Sequence, residues 1–589
     1  MKIKEYKKPI INAINILLVI IICTWFIPFY IKGIDFSDTC FYLVKYKYFF
    51  DSSVDVTSFS TFFTELVGSI IYHIFPSHQL MILNFTCAIL YTASGLLIFY
   101  LLKDYVNHTL LLISTLGCSL LTLSYIHCYN YNTASMFNLA LAIFLLTIGL
   151  FKNKKMFIAA SGFIGIINIF FRLPNVLHLC IVLGIFLYCY NQNGNKFKDI
   201  VKPLFTYIFG CAVGGIVSLL IIVPTLGISK IKSSLSKTYA QFTNPEYSHS
   251  ADSMFSKLPT FVTDSISLWK NYILVLAIII IFAILLCILI KKHRKIILFF
   301  ASIASCIYAI YTKSSSEIGT SESSSNADIK STFYIILLVS FILTFAGIFI
   351  FYKTNRKFSY LCLVTAMLEI IISIGTDTGM LYYTLFLYLP IGMLCCSFWQ
   401  YHKLLKKYIP SSVTVSIGTV ITSFSIMLLL FSGYWRSTTF IYRDSEYQYL
   451  TEKCEITPLN GMHTTSNKNE LITKIKRELE PYSGNYLITF GECNVATVIS
   501  DLKPYFSTPW PDLKSFTDDL FYEELYGKCE TYRYPVILFS PTTVINAPEG
   551  QTYRSNEKEQ MLLTFIEENN YSLVYEDDEI FIYAPEISE

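Results

Sequence analysis

The chain has 589 residues, 53% of them hydrophobic and only 15% charged, with a mean hydropathy of +0.50, which excludes a soluble globular protein. The formal net charge of +3 conceals an asymmetry, because residues 434–589 hold 26 Asp and Glu against 13 Lys and Arg. An acidic tail excludes nucleic acid as a partner of that part.

A basic amino terminus precedes the apolar run Ile10 to Ile31, which predicts a first span with the amino terminus in the cytoplasm. The run is too long for a signal peptide, and Tyr30 to Gly33 offers no small-residue cleavage site. It reads as an uncleaved anchor. The first outer loop, 32–78, carries Asp35-Phe-Ser-Asp38-Thr-Cys-Phe-Tyr42-Leu. Carboxylates this close to hydrocarbon are costly unless something polar or chemical needs them. Later in the loop, Phe59 to Phe75 is short, contains Glu65 and His73, and ends at Pro76. It suits an interfacial helix that does not cross.

With that segment left out of the count, every basic loop falls on the cytoplasmic side. These loops are Lys103, Lys152 to Lys155, Lys196 to Lys202, Lys291 to Lys295, Lys353 to Lys357 and Lys403 to Lys407. The spans then fall near 10–31, 79–102, 109–126, 134–151, 156–171, 174–190, 203–224, 269–290, 295–311, 331–352, 358–374, 380–399 and 412–433. The expected fold class is a polytopic α-helical membrane protein of about thirteen transmembrane helices. Its membrane domain covers 1–433 and a small extracytoplasmic α/β domain covers 434–589. No fixed-period repeat stands out, which weakens a transporter built from duplicated halves.

This topology gathers distant polar segments on the outer face. They are the first loop, Asn130 and Asn132 in Tyr-Asn-Tyr-Asn, Arg172-Leu-Pro-Asn175, the loop 225–268, a Ser-rich stretch at 312–330 expected to be mobile, and Asp377 between Gly375 and Gly379. In the tail, Asn467 to Glu480 and Glu557 to Asn570 read as helices. Tyr486 to Phe490 and Tyr534 to Ser540 read as strands, and Tyr571 to Tyr583 as two more. No nucleophile motif, phosphate loop or metal cluster is visible there, so the tail reads as a binding or docking module. The sixteen cysteines are mostly apolar helix residues; among Cys454, Cys493 and Cys529 one disulfide is compatible with an external domain.

Asp38-Thr-Cys-Phe-Tyr42-Leu resembles the first-loop Asp-Glu-Gly-Tyr-Tyr-Leu pattern of the GT-C superfamily of integral-membrane glycosyltransferases. Aminoarabinose transferases, protein O-mannosyltransferases and oligosaccharyltransferases belong to it. Tyr131-Asn132-Thr133, Arg172-Leu-Pro-Asn175 and the external carboxy-terminal domain are similar to further landmarks of the family. The resemblance implies transfer of a hexosyl or pentosyl unit from a polyprenyl-phosphate donor to a lipid or glycan acceptor, with inversion, at the outer face of a plasma or bacterial inner membrane. An acceptor hydroxyl needs a carboxylate to take its proton, and the departing phosphate needs a cation. Asp38 is the expected base and Arg172 the expected phosphate ligand, with Tyr42, Asn130, Asn132, Asn175 and Asp377 as substrate-binding residues. Asp35 is a helper, or with Asp38 a ligand for a divalent metal; no cofactor is certain. The sequence departs from the family where relatives carry a second outer-loop acid, since Asn130 and Asn132 supply no charge, and Asp377 is the candidate replacement.

Each role has a plainer competitor. Asp38 suits a helix N-cap, and Arg172 could snorkel to lipid head groups. The Asn-Tyr cluster suits a helix-start turn, and Asp377 a plain turn. His73, His78 and His127 suit interfacial packing. Rival functions are a secondary transporter, for which Glu369 in mid-span is the one charged candidate, a polysaccharide polymerase or ligase, and a non-catalytic scaffold.

Overall fold

The computed structural model describes residues 2–124, 126–190, 197–243, 251–316, 324–372, 374, 386–439, 441, 443–513, 516–529, 534–540 and 555–585. Helices run in chain order as α1 (Lys2–Thr24), α2 (Asp38–Tyr48), α3 (Phe62–Ile74), α4 (Gln79–Leu102), α5 (His108–Leu121), α6 (Tyr131–Phe151) and α7 (Lys155–Ile167). A 3₁₀ segment, Leu173–Val182, leads into α8 (Leu183–Tyr190), α9 (Phe197–Leu226), α10 (Ile228–Thr243), α11 (Ala251–Leu289), α12 (Arg294–Ser316) and α13 (Ser324–Ile350). The apolar part closes with α14 (Arg356–Ile371), α15 (Tyr388–Leu405) and α16 (Ser411–Thr439). Each expected span overlaps one of these helices, in whole or in part.

Among the described residues, 6 helices are long and apolar enough to cross a membrane, and several shorter apolar helices accompany them. Large apolar side chains remain uncovered along them: Leu220 is 69% exposed, Leu274 67% and Phe349 69%. Such faces are stable against lipid, not water. The chain is a multi-pass membrane protein. By contrast, α3 has 13 residues, which gives it about 20 Å of length, short of the hydrocarbon thickness.

Three segments have more local structure than the sequence reading gave them. The loop 225–268 is largely helical, because α10 and the first half of α11 lie within it. Ile228, Ile231, Leu235 and Tyr239 recur at helical spacing, a period hidden among Ser and Lys. The segment 174–190 begins as ten residues of 3₁₀ helix with Pro174 in its first turn, a geometry rarely sustained for that length. The Ser-rich stretch partly forms the end of α12 and the start of α13; its middle lies outside the described residues.

The described chain divides into two compact units. The helical unit comprises Met1–Trp25, Ile89–Ser124 and Tyr131–Ser437. Glycine permits a close helix contact there, since a Cβ at Gly210 would lie 1.9 Å from the Ala159 carbonyl oxygen. Small residues admit such close approach between apolar helices. Leu276, Ala309, Val420 and Phe424 are buried together in its interior.

The second unit joins Phe26–Ala88 and Tyr125–Asn130 to Thr438–Glu589. It holds a short antiparallel pair, β1 (Glu452–Lys453) and β2 (His463–Thr464), and a five-stranded sheet. The sheet contains β3 (Tyr486–Phe490), β4 (Lys503–Pro504), β5 (Val536–Phe539), β6 (Tyr571–Glu576) and β7 (Phe581–Pro585), in the order β4-β3-β5-β7-β6. β3 runs parallel to both β4 and β5, and β7 returns antiparallel to β5. The helices α17 (Ser466–Leu479), α18 (Val495–Ile499), α19 (Asp518–Gly527) and α20 (Asn556–Glu568) complete it. Ile488, Phe490, Phe506, Phe521, Ile537 and Phe565 form its core, which explains why β3 and β5 read as near-continuous apolar runs. The compact units do not follow the sequence division at residue 433: the first loop belongs with the carboxy-terminal sheet.

Candidate functional site

In the second unit, the start of α2 is built by Asp35. Its carboxylate accepts from Ser37 N at 2.9 Å, Ser37 Oγ at 2.7 Å and Thr39 N at 2.6 Å. Both oxygens are thereby engaged, and the residue is only 4% exposed. This is the bonding of a helix cap, which satisfies amide donors that the helix itself cannot. The cap that the sequence offered to Asp38 falls to Asp35.

Asp38 follows three residues later. It is the first residue of α2, its side chain is 27% exposed, and its Oδ2 lies 3.4 Å from Arg443 Nη2. Arg443 also donates to Ser37 Oγ and reaches Glu492 Oε1 at 3.8 Å. Its guanidinium carbon lies 5.9 Å from the Trp510 ring centre. Asn494 closes the group by donating to the Ser37 carbonyl at 3.3 Å. Sequence reasoning missed Arg443, Glu492 and Trp510. No spacing rule links them to Asp38, since Arg443 lies 406 residues from Ser37.

The segment that presents Arg443 is pinned in place. Ile34 N donates to Asp444 Oδ2 at 2.7 Å, and Thr464 Oγ1 donates to the same oxygen at 2.8 Å. Lys468 Nζ stands 3.4 Å from Asp444 Oδ1 and donates to the Arg443 carbonyl at 3.1 Å. Gly33, at φ +90°, would place a Cβ 2.3 Å from Ile441 Cγ2, so this crossing requires glycine. Asp35, Thr39, Gly33, Asn84, His127 and Ile441 are among the residues lining a small cavity.

Tyr42, His127 and Asn130 are interior. Tyr42 is 6% exposed and stacks on Tyr46 with ring centres 6.3 Å apart. Asn130 is buried and donates to the Cys128 carbonyl at 2.8 Å. His127 stacks on Tyr30 at 4.6 Å. Burial, then the charge of Asp35, pushes the Cys40 thiol well up, so it stays a neutral packing group.

In the helical unit, Arg172, Asn132 and Asn175 are all buried. Arg172 lies with its guanidinium carbon 5.7 Å from the Tyr131 ring centre. Asn175 donates to Ser135 Oγ and to the Asn168 carbonyl, each at 2.8 Å. The 3₁₀ start at Leu173 makes this tight turn, with Asn175 N donating to the Arg172 carbonyl at 3.0 Å. Asp377 lies outside the described residues.

A divalent ion needs several oxygen ligands. Asp35 spends both oxygens on amide and hydroxyl donors and Asp38 faces a guanidinium. Among the described residues no group of three or more His, Cys, Asp or Glu could hold a metal. The pair as arranged does not fit one. Cys454, Cys493 and Cys529 are not joined in a disulfide, and Cys529 Sγ lies 3.2 Å from Tyr505 Oη.

No family model matches the chain, and no curated protein matches it significantly. Among solved structures it is similar to ArnT from Cupriavidus metallidurans in the apo state, at 12% identity and a TM-score of 0.41, covering 98% of each chain. The same ArnT bound to undecaprenyl phosphate gives 10% and 0.40, again covering 98% of each chain. The Archaeoglobus fulgidus oligosaccharyltransferase tethered to an acceptor peptide containing the NVT sequon gives 11% and 0.46, covering 98% of this chain and 74% of that one.

Proposed function

We propose that the protein transfers a sugar from a polyprenyl-phosphate donor to a lipid or glycan acceptor at the outer face of the cytoplasmic membrane. The observation that carries this reading is the division of labour between the two first-loop carboxylates. Asp35 is consumed by the helix cap, while Asp38 stands at the helix start, part-exposed beside a guanidinium. A part-exposed carboxylate is what a poor hydroxyl nucleophile needs to take its proton.

In the proposed step the acceptor oxygen attacks the anomeric carbon and its proton passes to the Asp38 carboxylate. The bond from that carbon to the phosphate oxygen breaks, and the phosphate leaves with the electron pair. Attack opposite the leaving group inverts the anomeric centre. Arg172 is proposed as a phosphate-facing cation of the helical unit, with Asn132 and Asn175 as polar neighbours. Asp35 acts as a positioning residue. No step is routed through a metal.

The test is consumption of radiolabelled polyprenyl-phosphate sugars by the purified full-length chain. Turnover with formation of free polyprenyl phosphate supports the reading. Counterflow of a solute across vesicles without such turnover would replace it with transport, the reading favoured by the buried Glu369 of α14.

A further inference from the structure

Arg443 stands between two carboxylates. One nitrogen faces Asp38 at 3.4 Å and the other faces Glu492 at 3.8 Å. Glu492 sits in the turn between β3 and α18, at the carboxyl end of a strand flanked by parallel neighbours on both sides. In open sheets with parallel strands, ligands are held at that edge. Among the described residues, the charged groups on the elements packed near Asp38 are Asp35 from its own loop, Arg443, Asp444 and Lys468 from the segment after α16, and Glu492 from the turn after β3. Asp35 and Asp444 are each held by backbone amides, and Lys468 is committed to Asp444 and lies over the Phe36 ring at 4.6 Å.

We infer that Arg443 is a positioning residue for Asp38 and that Glu492 is the site's second carboxylate, so that the carboxy-terminal domain is part of the catalytic machinery. This deepens the transferase reading and rests on it. The physical reason is a balance. A guanidinium devoted to one carboxylate keeps it ionised but makes it a weak base. Sharing the guanidinium with Glu492 keeps Asp38 ionised while leaving it basic enough to take a hydroxyl proton. On this inference Glu492, from the domain at the other end of the chain, takes the role of second acid for which the sequence offered Asp377.

The arrangement predicts shifts of opposite sign. The full-length protein in nanodiscs is treated with a carbodiimide, which modifies protonated carboxyls, over a pH series, and Asp38 labelling is read by peptide mass spectrometry. In Arg443→Gln the labelling midpoint moves up by about half a pH unit or more, and in Glu492→Gln it moves down. Arg443→Lys restores a midpoint close to that of the parent. Asp51, part-exposed and paired with Lys503 at 2.9 Å, is the internal reference and does not move. Midpoints that stay put, or that move the same way in both variants, overturn the inference. Lipid-phosphate sugar turnover, measured separately, tests the transferase reading, so the two failures are distinguishable.

Discussion

The Lys47 ammonium of α2 donates to the Ser500 carbonyl at 2.6 Å, and to the carbonyls of Thr497 and Val498 at 3.1 and 3.2 Å. It therefore closes the carboxyl end of α18 from a residue more than 400 positions earlier. A cation there satisfies carbonyls that the helix leaves unpaired. Together with Asp444 on Ile34 N, it explains why the first loop and the carboxy-terminal sheet form one unit.

Burial lowers Lys47 from 10.5 to about 8. Between those values the unfolded chain binds more protons than the folded one, so this residue's contribution makes stability rise with pH from about 8 to 10.5. Below that window its contribution is flat. Unfolding of the full chain at several pH values, compared with Lys47→Met, should show that rise in the parent and lack it in the variant.

Lys45 and Glu65 form a pair at 2.8 Å with side chains only 11% and 2% exposed. Lys45→Met strands a buried carboxylate and should cost about 3–5 kcal/mol. Adding Glu65→Gln should recover much of that loss, because an amide oxygen can still accept from Ser58 N. Denaturant midpoints of the two variants check the order.

Asp35→Ala removes a cap and should destabilise by about 1–2 kcal/mol. Asp35→Asn keeps acceptor capacity, so it should fold and retain measurable transfer. Equal loss of turnover in Asp35→Asn and Asp38→Asn, with both proteins folded, would contradict the separation of cap from base.

Glu369 is buried within α14, where an isolated charge is expensive. Glu369→Gln replaces the carboxyl group by an amide and should leave insertion, thermal stability and sugar turnover at or above the parent level. Loss of turnover in a well-inserted protein would give Glu369 a part in the reaction.

Much of this was legible in the sequence. β3 spans the residues expected of it, and α17 and α20 fall within two residues of their predicted bounds, because a buried strand run and a capped amphipathic helix both have strong local signals. The carboxylate pair of the first loop was also visible as charge out of place. Its division of labour was not, since a cap depends on backbone direction at Ser37. Arg443 and Glu492 read as ordinary tail charges, and only tertiary packing assigns them. The amphipathic α10 was hidden by its Ser and Lys content.

The central claim is tested most directly by Asp38→Asn in cells lacking the native protein, with Asp35→Asn beside it and surface glycans scored by mass spectrometry. The account predicts that Asp38→Asn erases one sugar mass while the protein inserts normally, and that Asp35→Asn only diminishes it. An unchanged glycan profile in Asp38→Asn would contradict the account.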